Sequence, residues 1–123
     1  MVVRLTELLS APDMFKAIIL LSRGETQSPE DFRHWWLEEH APLARQLPGL
    51  RRLVFNLVPP TDENTMSGLP YDGVSELWFD DRAAFDAAYA TEIGKEVASD
   101  SLKHVSGRLR LFVEEYNLVA DIG

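Results

Sequence analysis

The stretch from Ser28 to Leu50 limits the possible folds most strongly, because it has the pattern of one amphipathic helix with defined ends. Ser28 is a residue type that caps helix N-termini, and Pro29 suits the first helical position, where its missing N–H costs nothing. Pro48 and Gly49 cannot continue the helix. We therefore predict a single helix in this stretch, followed by a segment of different periodicity.

The helix carries an aromatic stripe, and one histidine lies at its edge. At about 100° per residue, Phe32, Trp35 and Trp36 share one side, His40 borders it and His34 points away. An imidazole beside indole rings is partly desolvated, and its near-neutral pKa suits acid–base chemistry. We predict a catalytic role for His40. The alternative is a boundary histidine bonded to a backbone carbonyl.

Length and composition exclude several classes of protein. A chain of 123 residues suits one domain, here 14–123, preceded by an N-terminal arm at 1–13. No apolar run reaches the roughly 18 residues that a membrane span needs, and the N-terminus makes a poor signal peptide, so we expect a cytoplasmic protein. The absence of cysteine excludes thiolate chemistry, and a net charge of -8 argues against a nucleic-acid partner.

The other segments alternate between short apolar runs and helical patterns. We predict strands at 15–21, 50–58, 73–79 and 108–116, a helix at 80–89 with a broken continuation at 94–105, and a long polar loop at 61–72. The order β-α-β-β-α-β is that of the split βαβ, or ferredoxin-like, fold. The predicted class is therefore α+β, with helices on one face of an antiparallel sheet.

Helices on one face leave the other face of the sheet open. Period-two alternation groups the following residues on that second face: Arg108, Arg110 and Phe112 with Glu76 and Trp78. A face that mixes large apolar groups with charges suits a subunit interface better than open water. We therefore predict a homodimer packed sheet to sheet.

Several motifs resemble the EthD family of the dimeric α+β barrel superfamily. They are the F-x-x-W-W-x-x-x-H-A-P-L helix (Phe32 to Leu43), Leu47 to Leu50, Glu76 to Phe79, Ser99-Asp100, and Phe112 to Glu115. The resemblance spans about Met14 to Tyr116, and it implies a ferredoxin-like protomer whose dimer forms a barrel. The family is related to 4-methylmuconolactone methylisomerase, so the resemblance also places His40 in a substrate cleft.

These observations predict an enzyme of the isomerase, lyase or cyclase type, which transfers a proton on a small, oxygenated, hydrophobic compound. His40 would move the proton, and Glu76 would orient or share it, unless Glu76 forms an ion pair with Arg52 or Arg110. Four further residues are predicted to bind substrate: Trp36, Tyr89, Tyr71 and His104.

Two other functions stay open at this point. One is a cofactor-free or haem-using monooxygenase, with His40 or His104 as the axial ligand in the haem case. The other is a non-catalytic, ligand-binding accessory protein. We predict no cofactor and no metal, since His34 and Glu38 offer only two ligands. Asp100 and His104 are four apart and form a carboxylate–imidazole pair if that segment is helical.

Overall fold

The computed structural model describes residues 14–61 and 71–119. Its strands are β1 (Phe15–Arg23), β2 (Arg52–Leu57), β3 (Gly73–Phe79) and β4 (Val105–Val113). Between β1 and β2 lie α1 (Pro29–His34), a π-helical turn (Trp35–His40) and α2 (Ala41–Ala44), and between β3 and β4 lie α3 (Arg82–Ala90) and α4 (Glu92–His104). The predicted N-terminal arm and loop positions 62–70 lie outside the described residues.

The four strands form one antiparallel sheet in the order β2-β3-β1-β4. The apolar run of β1 occupies a central position, where Ala17, Ile19 and Leu21 are buried. The helices cover that face and contribute the other large core side chains, notably Phe32 and Trp36. The ferredoxin-like α+β fold predicted from the sequence is confirmed. No helix within the two described ranges is long and apolar enough to cross a membrane.

Side-chain caps start the helices, the first of them at the predicted Ser28. Ser28 Oγ accepts a hydrogen bond from Asp31 N at 3.0 Å, and Asp31 Oδ2 accepts one from Ser28 N at 3.1 Å, which completes a capping box. Thr91 Oγ1 accepts from Gly94 N at 3.1 Å and starts α4 anew. The predicted broken continuation is therefore a separate helix. A Cβ at Gly94 would lie 2.2 Å from the Ala88 carbonyl oxygen, so only glycine fits this junction.

The strand register corrects the predicted faces of β4. Three β4 residues pair with buried β1 residues on the helix-covered face: Arg108 with Leu21, Arg110 with Ile19, and Phe112 with Ala17. Leu109 and Leu111 consequently lie on the open face, each 44% exposed. The prediction that the arginines of β4 lie on the open face was wrong, because β4 is an edge strand. At the edge of the sheet, charged side chains on the helix-covered side can still reach solvent. Alternation alone does not say which side of such a strand the helices cover.

Candidate active site

A π-helical turn positions His40. The Ala41 N–H bonds to the Trp36 carbonyl, five residues back. Pro42 explains this pattern, because it has no N–H and its ring clashes with the carbonyl four residues earlier in a regular α-helix. The predicted single helix is therefore interrupted, and it ends at Ala44.

The turn also changes which side chains are neighbours. A regular α-helix would set residues 35 and 40 roughly 140° apart around the axis. A π-helical turn instead stacks residues five apart, and the ring centroids of Trp35 and His40 are 4.9 Å apart. His40 is thereby directed into the protein and is only 5% exposed.

Asp100 on α4 fixes the orientation of the buried imidazole. Its Oδ2 accepts hydrogen bonds from His40 Nδ1 at 2.9 Å and from Trp35 Nε1 at 3.1 Å. A carboxylate only accepts, so the proton of neutral His40 is on Nδ1 and the lone pair is on Nε2. The Ser101 hydroxyl, 3.3 Å away, donates toward that Nε2. The arrangement presents Nε2 as a base.

The protonation state of His40 follows from two opposing effects. Burial lowers the pKa of His40 below its ordinary value of about 6.5, and the positive charge of Arg108 acts in the same direction. The hydrogen bond and the negative charge of Asp100 raise the pKa but do not outweigh burial. The imidazole is therefore neutral at pH 7 and able to accept a proton.

His40 opens onto a narrow cavity of about 20 Å³ between the helices and the sheet. Most of the wall is apolar and includes Ile19, Leu21, Leu53, Phe55, Leu77 and Val97. A few polar side chains also line it: His40, Ser75, Tyr89, Ser101 and Arg108. Its apolar wall and few convergent polar groups have the character of a small-molecule site, and a ligand larger than one or two water molecules requires the wall to move apart.

The structure brings three predicted site residues together at this cavity: His40, Trp36 and Tyr89. The Trp36 ring stacks on Phe55 with centroids 4.3 Å apart, and its buried Nε1 has no hydrogen-bond partner among the described residues. Burial raises the pKa of Tyr89, so its hydroxyl stays protonated at neutral pH.

Two predicted substrate-binding residues lie elsewhere. His104 stacks on Trp35 with centroids 4.7 Å apart, and its Nδ1 donates to the Asp100 carbonyl at 2.8 Å. It therefore supports the far side of Asp100 and does not line the cavity. Tyr71 is half-buried and does not line the cavity either. The predicted Asp100–His104 pair does form, with Oδ1 3.3 Å from Nδ1.

The structure separates Glu76 from His40, which corrects its predicted catalytic role. Glu76 pairs with Ile18 on the open face of the sheet, whereas its neighbours Ser75 and Leu77 face the cavity. Its carboxylate forms an ion pair with Lys16 at 2.9 Å and accepts from Asn56 Nδ2 at 2.9 Å. These contacts lower the pKa of Glu76. The ion pair predicted as the alternative exists, but with Lys16.

The second histidine of the predicted helix lies away from the cavity. His34 pairs with Glu38 on the exposed surface. Within the two described ranges, no three His, Cys, Asp or Glu side chains are grouped so that they could hold a metal ion.

The sequence reasoning missed three residues of the site: Asp100 as the partner of His40, Ser101 and Arg108. Asp100 was recognised only through its local spacing to His104 and as part of the Ser99-Asp100 motif. Its hydrogen bond with His40 spans 60 positions of the chain. No local pattern reports such a contact.

Residues 24–107 match the sequence profile of the EthD domain. The chain belongs to the EthD family. This EthD protein is 26% identical to an ethyl tert-butyl ether D (EthD) family protein from Bacillus halodurans C-125, with a TM-score of 0.70. That alignment covers 83% of this chain and 98% of the other. The family resemblance seen in the motifs is confirmed.

Two further solved structures share the fold at lower identity. A dimeric protein with a ferredoxin-like fold from Bacteroides fragilis NCTC 9343 is 13% identical, with a TM-score of 0.64 over 85% of this chain and 99% of that one. SnoaB, a cofactor-independent oxygenase from Streptomyces nogalater, is 14% identical, with a TM-score of 0.60 over 85% and 94% of the two chains. No curated protein matches this EthD protein.

Proposed function

We propose that this EthD protein is an enzyme that transfers a proton on a small, oxygenated, largely apolar compound, with His40 as the acid–base group. The observation that carries the proposal is the His40–Asp100 pair, which leaves the Nε2 lone pair directed toward Ser101 in the cavity wall. A neutral imidazole in a water-poor cavity is suited to removing a proton from carbon beside a carbonyl group.

The catalytic cycle follows from these contacts. The Ser101 hydroxyl rotates away from Nε2 as the substrate binds. Nε2 then removes a proton from the substrate, and the Asp100 carboxylate stabilises the imidazolium that forms. The imidazolium then returns the proton at another position, as an isomerase requires, or to a leaving group, as a lyase requires. General acid–base catalysis of this kind contributes about 10² to 10⁴ in rate.

Two polar groups of the cavity support an oxygenated ligand. The Trp36 indole N–H is a buried donor without an acceptor among the described residues, and a ligand oxygen would satisfy it. The protonated Tyr89 hydroxyl is a second donor, suited to a carbonyl oxygen that gains negative charge in the reaction. The expectation from the sequence motifs, that the family is related to 4-methylmuconolactone methylisomerase, makes lactones compounds to test.

A cofactor-independent oxygenase is the second candidate. The aromatic wall formed by Trp36 and Phe55 suits a phenol or quinol ring, and the same His40 would remove its proton before reaction with O₂. The two functions differ in one measurement, because only the oxygenase consumes O₂ in proportion to the substrate converted.

We also propose that two copies assemble through the open face of the sheet. Leu109 and Leu111 are exposed there beside Ile18, Leu20 and Val74, with which they share the register. An uncovered apolar face of this kind marks an association surface. The dimeric relative from Bacteroides fragilis supports this assembly.

Hydrogen–deuterium exchange tests the proposed chemistry. Lactones, quinols, phenols and enolisable ketones are first screened by thermal shift, where a ligand at 100 times its Kd adds about 2.7 kcal/mol of stability. Ligands that bind are then incubated in D₂O, and their C–H exchange is followed by NMR. The wild type should accelerate exchange, whereas His40→Gln should bind the ligand and exchange it at least about 10²-fold more slowly.

The matched control is His34→Gln, which removes the exposed histidine and should exchange like the wild type. Equal exchange by wild type and His40→Gln would show that His40 is not the base. A ligand that binds to the wild type and is never altered would identify a ligand-binding accessory protein.

A further inference from the structure

Arg108 lines the His40 cavity and also its entrance. On the cavity side it accompanies Tyr89, Ala98 and His40. Tyr89, Ala98 and Arg108 also line a wider outer groove of about 550 Å³. Three further cationic side chains border that groove: Lys95, Lys103 and Arg110. Arg108 is therefore the one cation shared by the cavity and the groove.

The Arg108 guanidinium has no carboxylate partner within residues 14–61 and 71–119. Three arginines in that part of the chain form carboxylate pairs: Arg23 with Asp72 at 3.4 Å, Arg51 with Asp80 at 3.0 Å and Arg82 with Asp86 at 3.0 Å. Among the arginines without such a pair, Arg108 is the one that lines the His40 cavity. Arg110, its neighbour on the same face, lies over the Phe112 ring, 4.8 Å from the centroid. The groups that act electrostatically on Arg108 are Tyr89 and Arg110, neither of which is a carboxylate.

The Arg108 side chain is exposed, so its guanidinium can be reached from the groove, and the part that its neighbours cover loses water without gaining a counter-charge. Burial lowers the pKa of Arg108, but an arginine side chain remains protonated at neutral pH. In a chain of net charge -8, carboxylates to pair with it are plentiful, yet none occupies this position among the described residues. An incoming anion would supply the missing partner and recover the cost of desolvation.

We infer that Arg108 binds a carboxylate of the substrate, so that the compound processed at His40 is a small carboxylic acid. The inference rests on the proposed function and names its substrate class. The planar guanidinium presents paired donors that match the two oxygens of a carboxylate. A single guanidinium in the cavity wall suits a monoanion better than a phosphate, because a phosphate is usually bound by several hydrogen-bond donors.

The same contacts set the orientation of the acid. Its carboxylate lies at Arg108 near the entrance, its apolar part contacts the Leu53 and Phe55 side of the cavity, and its acidic carbon faces His40.

Matched acid and ester ligands test the inference. The probes are 4-acetylbenzoate and 4-hydroxyphenylacetate, each compared with its uncharged methyl ester by isothermal titration calorimetry. Wild-type protein should bind at least one acid about tenfold or more tightly than its ester, since a hydrogen-bonded charge pair is broken in the ester. Arg108→Gln should lose this preference and leave ester affinity unchanged, while Arg108→Lys should retain part of it.

Lys103→Gln is the matched control, because it removes one exposed cation from the same groove. It should keep the preference for the acid. If neither acid binds more tightly than its ester, or if Lys103→Gln weakens the acid as much as Arg108→Gln does, the inference is wrong. Inorganic phosphate that binds more tightly than both acids, and loses this binding in Arg108→Gln, would also overturn it.

Calorimetry separates this inference from the proposed function, since it needs no turnover. His40→Gln should bind the acid about as tightly as the wild type. Retained acid preference without any proton exchange would refute the proposed chemistry alone. Proton exchange with equal affinity for acid and ester would refute the role of Arg108 alone.

Discussion

Asp100→Asn is the most direct test of how the site holds its base. The substitution keeps the shape of the side chain, and an amide oxygen at the Oδ2 position can still accept from His40 Nδ1 and Trp35 Nε1. What disappears is the negative charge beside the imidazole. The amide NH₂ also replaces an oxygen that lies 3.3 Å from His104 Nδ1, so two donors then face each other.

The size of the effect follows from the lost charge. Two unit charges about 4 Å apart at an effective dielectric constant of about 20 attract by about 4 kcal/mol, and the neutral hydrogen bond that remains returns about 1 kcal/mol. The imidazolium formed in the reaction thus loses about 3 kcal/mol of stabilisation. We expect proton transfer to slow by about 10². The pKa of His40, already lowered by burial, should decrease further.

Two measurements check this prediction: the deuterium-exchange rate of a bound ligand, and the pKa of His40 from an NMR titration of its ring protons. Asp86→Asn is the control, because it makes the same change in an exposed ion pair with Arg82 and should alter neither quantity. If Asp100→Asn exchanges within about twofold of wild type and leaves the pKa of His40 unchanged, Asp100 does not support the base.

Three other predictions concern stability and assembly. Folding lowers the pKa of His40, so the unfolded chain binds a proton more readily than the folded one. The contribution of His40 to the free energy of unfolding should therefore be complete above about pH 6.5 and decrease below it. In urea titrations at several pH values, His40→Gln should show a smaller decrease than the wild type. Gly94→Ala places a Cβ 2.2 Å from a backbone oxygen and should destabilise by about 2 kcal/mol or more, unlike Gly107→Ala, whose nearest contact is 3.4 Å. Leu111 is exposed on the open face of the sheet, so Leu111→Asp should convert a dimer to monomers in sedimentation velocity. Leu102→Asp, which changes an exposed leucine on α4, should leave the dimer intact. A dimer that persists in Leu111→Asp would exclude the open face as the interface.

Several features of the site depended on contacts that no local pattern carries. The hydrogen bond between His40 and Asp100 joins α4 to the π-helical turn across 60 positions. The pairing of Glu76 with Lys16 requires two strands to meet in one register. Arg108 lines the cavity because the register of edge strand β4 places it on the helix-covered face of the sheet. Each of these outcomes was set when separate elements packed together.

The sequence by itself determined the order of helices and strands, and it singled out His40 as the candidate base. Caps such as Ser28, the apolar run of β1 and the aromatic stripe beside His40 act over a few residues, so they can be recognised without the fold. Only the tertiary structure decided the faces of β4 and the partner of His40. The physical reason is that a strand alternates identically whichever side the helices cover, and hydrogen bonds between distant elements exist only after these have packed.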